Sequence, residues 1–133
     1  MNKLYALYKL VNLLLTKNML IRENGVIISF LYDRSGDTPP FTLRFKVKNR
    51  YDADLVNEMA DLLMELDCDI ADGELIVYMN PVKRSSIRRV VKKVEQDTGR
   101  TPIWLFLFCD EDIERVASQY LFFTDPDKLK RII

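Results

Sequence analysis

Six bases with no acid among them, Lys83, Arg84, Arg88, Arg89, Lys92 and Lys93, fall on a stretch with the periodicity of an amphipathic helix. Arg84, Arg88 and Lys92 form one row at four-residue spacing, and Arg89 and Lys93 form a second beside it. Both rows lie opposite an apolar stripe of Ile87, Val90, Val91 and Val94, so the bases project outward. Such rows can dock onto phosphates or onto an acidic protein surface. Asn80-Pro81 at the expected helix start leaves free amides near Lys83, and Arg44, Lys46 and Lys48 could extend the patch. The opposite polarity lies upstream: nine acids and no base occur between Asp52 and Glu74, with Asp54, Glu58, Asp61 and Glu65 along one flank of a second helix. Like charges three or four residues apart cost a helix roughly 0.2–0.5 kcal/mol per pair. Each row is therefore a solvated face, a match for the other row, or a surface for a partner. Ser85 and Ser86 among the bases could accept a phosphate, but they also suit a plain helix surface.

Other chemistry is sparse. The chain has no histidine, so Ser-His and Cys-His nucleophile systems are excluded and the commonest metal ligand is missing. Its four glycines are too scattered for a phosphate-cradling loop. Asp67, Asp69 and Asp72 precede Gly73 as in a calcium loop, but positions six and twelve counted from Asp67 hold Asp72 and Tyr78 instead of Gly and Glu. Asp110, Glu111, Asp112 and Glu114 stand at an expected helix start, where carboxylates cap free amides. Cys109 beside them is a poor nucleophile, because neighbouring carboxylates disfavour its thiolate. No metal and no cofactor is expected.

These side chains need a scaffold, and 133 residues with 48% hydrophobic and 30% charged content suit one globular domain spanning residues 1–133. The formal charge of +0 argues against a generic polyanion binder. Two cysteines, no expected signal peptide and no apolar run near the roughly 20 residues of a membrane helix lead to an expected cytoplasmic location away from membranes.

From Leu4 to Leu15 the spacing predicts a first helix, and Leu10 and Leu13 widen its apolar stripe beyond one face. Asn24-Gly25 predicts a hairpin between Met19–Arg22 and Val26–Tyr32, and Phe41 to Lys48 alternates as a third strand. The acidic helix follows, from about Asp52 to Leu66, then a hairpin turning at Asp72-Gly73, then the basic helix 82–98 ending at Gly99. Pro102 to Cys109, apolar throughout, predicts a central strand reached by a parallel crossover. Ile113, Val116, Ala117, Tyr120 and Leu121 then predict a helix, and Asp125-Pro126 a short terminal one.

The expected fold is α/β (α+β), N-terminal helix first, with a mixed, mostly antiparallel sheet of five or six strands packed by helices. The opening order of helix, three strands, helix, two strands, helix resembles that of bacterial type III secretion chaperones, which implies a small dimeric protein-binding module. That likeness rests on element order over roughly three-quarters of the chain, with no matching motif, and the Trp104 segment departs from it. The expected function is a non-enzymatic protein-binding module, whether adaptor, inhibitor or chaperone-like, acting as a homodimer. Nucleic-acid binding through the basic helix is the alternative, and an enzyme with carboxylate or lysine chemistry the third reading.

Overall fold

The computed structural model describes residues 2–33, 39–50, 52–109, 118–125 and 128–132, and the side chains of those up to Cys109. It opens with α1 (Lys3–Thr16). The Asn2 Oδ1 caps it, accepting from the amides of Leu4 at 2.8 Å and Tyr5 at 3.4 Å. At the far end Asn18 takes φ 53°, and the amides of Asn18 and Met19 return to the carbonyls of Leu15 and Leu14. This paired closure satisfies two otherwise orphaned carbonyls and brings the apolar Leu14 and Met19, both buried, to the same corner.

Between Met19 and Arg22, where a full strand is expected, Leu20 forms a single bridge to Val47. The turn itself follows the sequence: Asn24 (φ 51°) and Gly25 (φ 81°) both take positive φ, and Glu23 bridges Val26. β1 (Ile28–Asp33) and β2 (Phe41–Lys46) pair antiparallel, with Phe30 opposite Leu43. After β2 comes α2 (Ala53–Glu65), capped by Asp52, whose carboxylate accepts from the Leu55 amide at 2.7 Å. The second hairpin, β3 (Asp67–Ala71) and β4 (Glu74–Met79), turns through Asp72 (φ 53°) and Gly73 (φ 75°). β4 pairs with β2, giving an antiparallel sheet in the order β3-β4-β2-β1.

Burial alternates along β1, β2 and β4, so the sheet packs one face inward. That face carries Ile28, Phe30, Tyr32, Phe41, Leu43, Phe45, Leu75, Val77 and Met79. Against it lie α1, α2 and α3 (Arg84–Thr98), with α1 in contact with both other helices. Leu4, Leu7, Leu10 and Leu14 of α1 are fully buried, and Leu13 is partly buried against the same core. The width of the α1 stripe is thus used within the chain.

Several expectations are corrected here. Pro102 to Cys109 is not a central strand: Ile103–Phe108 forms a 3₁₀ helix, η1. An apolar run with no period carries no signal that separates strand from helix. In the fold Pro102, Leu105 and Phe108 are buried at three-residue spacing, the spacing at which 3₁₀ side chains line up, and Trp104 is buried beside them. The parallel crossover disappears with the strand and survives as one parallel bridge, Val82 to Cys109. That bridge also delays α3, which starts at Arg84 rather than at Pro81. The Val82 amide donates to the Phe108 carbonyl at 2.7 Å and holds the chain extended to that point. Ile113, Val116 and Ala117 of the helix expected next lie outside the described residues. Tyr120 and Leu121 fall in an extended stretch, Ser118–Asp125, and a second one, Lys128–Ile132, follows where a terminal helix is expected. Among the described residues no helix is long and apolar enough to cross a membrane.

Candidate functional site

The stripe of Ile87, Val90, Val91 and Val94 seats α3 on the core and divides its bases into two flanks. Lys83, Arg88, Arg89, Lys92 and Lys93 are exposed and Arg84 is half-buried. The row Arg84, Arg88, Lys92 stands on one flank. Arg89 and Lys93 stand on the other, which faces α1. There the two helices border a cleft of about 580 Å³ lined by Tyr5, Lys9, Ser86, Arg89, Lys93 and Asp97 among others. The ammonium groups of Lys9 and Lys93 each lie 4.9 Å from the centroid of the Tyr5 ring. The Tyr5 hydroxyl donates to the Asp97 carboxylate at 3.1 Å.

Tyr5 is thus the floor of a cationic cleft. Partial burial raises its phenol above the ordinary value, and the hydrogen bond to Asp97 and that carboxylate's charge raise it further. The ring stays neutral at physiological pH and keeps a π face for cations. The sequence rows contain Arg89 and Lys93 but miss Tyr5, Lys9 and Asp97, which lie far away along the chain or outside the basic block. One signal was present: Tyr5 and Lys9 are four residues apart and fall off the apolar stripe of α1.

Among the described residues, Lys83, Arg88, Arg89, Lys92 and Lys93 form no ion pair, and no ion pair joins Asp54, Glu58 or Asp61 to α3. α1 packs against both α2 and α3. A second cleft, near Ile21 and Phe45, behaves differently: Lys46 pairs with Glu23 at 2.6 Å and Arg44 with Glu74 at 3.5 Å. Its charges satisfy one another, whereas those of the α1–α3 cleft are in excess on one side.

α2 exposes all four of its candidate acids, Asp54, Glu58, Asp61 and Glu65. Its opposite flank is apolar and equally open: Val56, Ala60 and Met64 recur every four residues, with Met64 86% and Val56 47% exposed. β3 follows at the edge of the sheet, and its Ile70 is 64% exposed.

Asp67, Asp69 and Asp72 do not converge. Asp67 binds Lys3 at 2.9 Å, Asp69 accepts from the Tyr78 hydroxyl at 2.9 Å, and Asp72 serves the turn. Asp110, Glu111, Asp112 and Glu114 lie outside the described residues. Cys109 is buried, and Cys68, half-buried, donates to the Leu63 carbonyl at 3.9 Å. Burial pushes the Cys68 thiol up, and the Asp69 and Asp67 carboxylates push it further. Alkylation of Cys68 by iodoacetamide at about pH 8 should run slower than that of free cysteine, and Asp69→Asn should speed it. A rate matching the free thiol would show that its thiolate is not disfavoured.

No protein family, curated protein or solved structure matches this chain.

Proposed function

We propose that the chain is a non-enzymatic protein-binding module, adaptor, inhibitor or chaperone-like in kind, that works as a homodimer in the cytoplasm. The observation that carries this reading is the open apolar ridge of Val56, Ala60 and Met64 on α2, continued by Ile70 on the edge strand. Exposed apolar residues scattered singly need no explanation, but a row on one helix flank beside a sheet edge is the usual form of a protein contact. Ile70 lies two residues along the same face of β3 from Cys68, whose thiol is anchored to the last turn of α2, so ridge and edge adjoin. A second copy suits the site because one apolar patch can cover itself about a two-fold axis. The acids of α2 lie on the other flank and need not meet in such a pairing. Asp67 and Asp69 on the edge, each already partnered, discourage indiscriminate strand addition.

The same reading takes the sheet from four strands to six. The register that places Ile28 opposite Phe123 and Phe123 opposite Leu129 supports it, because it would pair the outer edge of β1 through Ser118–Asp125 and Lys128–Ile132. The edge beside α2 would then be one of two, with β3 still at the end.

Sedimentation velocity over a concentration series tests the assembly. A dimer is expected for the native chain, and Val56→Lys with Met64→Lys should convert it to a folded monomer. Both side chains are exposed within one chain, so each substitution alone should change the stability of the monomer by less than about 0.5 kcal/mol. A native chain that stays monomeric at high micromolar concentration removes the homodimer, because specific interfaces usually bury roughly 1,200–2,000 Å² and persist there.

A further inference from the structure

The α1–α3 cleft holds three cations, Lys9, Arg89 and Lys93, against one acid, Asp97, and that acid is already engaged by the Tyr5 hydroxyl. Lys9 and Lys93 share one aromatic ring, so their ammonium groups stand within roughly 10 Å of each other, about the screening length at moderate salt. An exposed cation–π contact returns only about 0.5–1 kcal/mol. The ring therefore organises these like charges without neutralising them, and among the described residues lining the cleft Asp97 is the one acid that faces them. From this geometry we infer that the cleft is a docking site for an acidic peptide segment of a partner protein, its carboxylates held between Lys9, Lys93 and Arg89 over the Tyr5 ring.

The inference rests on the protein-binding reading and adds the chemistry of the partner to it. A protein segment fits better than a small phosphate because all three cations are exposed and none is set in a buried polar pocket. It fits better than a nucleic acid because the chain is balanced overall, with the α2 acids open to solvent to repel a long polyanion. Those same acids are not among the residues that line the cleft.

Fluorescence anisotropy with a short labelled poly-glutamate peptide tests this on the full chain. Binding is expected at low salt and should weaken as salt rises. Lys93→Glu and Arg89→Glu should each reduce affinity about tenfold or more, while Lys92→Glu on the other flank of α3 should change it by less than about threefold. Asp97→Asn should tighten binding, because it removes the one negative charge in the cleft. Circular dichroism of each variant keeps loss of fold apart from loss of binding. The inference is overturned if the peptide does not bind, if Lys92→Glu and Lys93→Glu weaken it equally, or if Asp97→Asn has no effect. It is also overturned if pyrophosphate or a single-stranded oligonucleotide displaces the peptide at far lower concentration than free glutamate polymer does. A chain that dimerises but ignores the peptide loses only the cleft, and one that binds the peptide as a monomer loses only the homodimer.

Discussion

Phe108→Ala should destabilise the fold by about 3–5 kcal/mol, the usual cost of emptying a fully buried aromatic site. Phe108 is 0% exposed, and its ring centroid lies 5.4 Å from those of both Phe30 and Phe41. Both contacts are edge-on, a geometry that adds about 0.5–1.5 kcal/mol per pair beyond area burial. Truncation would open a cavity between η1 and the sheet that neither partner strand can close, because both are fixed by their pairing. Ile103, five residues earlier in the same apolar run, is 55% exposed, so Ile103→Lys should cost less than about 0.5 kcal/mol. Urea unfolding of the two variants reads the contrast directly. A central strand covered on both faces would make the two substitutions comparably severe, and equal losses would contradict the 3₁₀ helix.

Leu10→Ala should cost about 2–5 kcal/mol, and the loss should not depend on protein concentration. Leu10 widens the α1 stripe past one face, which by itself suits either a core or an interface between copies. In the fold it is 0% exposed within one chain. Subunit contacts contribute stability that scales with concentration, whereas core contacts do not. Unfolding midpoints measured across a hundredfold dilution therefore separate the two. If Leu10→Ala unfolds only as the chain is diluted and matches the native chain when concentrated, Leu10 belongs to an interface and the burial described above is wrong.

The homodimer consequently draws its support from a different place than the sequence suggests. On the sequence, the excess width of α1 is the reason to expect self-association. In the fold that width is consumed by contacts to the sheet and to both other helices, and the open apolar surface is the flank of α2. Val56 and Met64 do not stand out along the chain because Leu55, Met59 and Leu62 already supply α2 with a sufficient core stripe. The extra residues beside that stripe carry meaning only once Val56 and Met64 are seen to be exposed.

Local chemistry made much of the chain legible from residues alone. Asn24-Gly25 and Asp72-Gly73 demand positive φ at two successive positions, and both turns have it. The alternation Phe41, Leu43, Phe45 fixes a strand and its buried face, since period two admits no other regular element. The α2 and α3 stripes and the Gly99 terminus, with φ 73°, follow from spacing and helix-end chemistry in the same way. Each of these is settled within a few residues, and the information is present there.

Tertiary structure decided what no window of sequence contains. The run from Pro102 to Cys109 has no apolar period, so its conformation was set by the partners it meets: the Val82 amide, α3 and the Phe30–Phe41 pair. The charge rows were visible as rows, but what each of them faces is a question of packing order. The cleft was least legible of all. Tyr5 and Asp97, 92 positions apart, are joined by one hydrogen bond, and Lys9 and Lys93 share a single ring. Residues so distant are brought together by burial of the apolar faces behind them, so the site is a product of the core rather than of any motif.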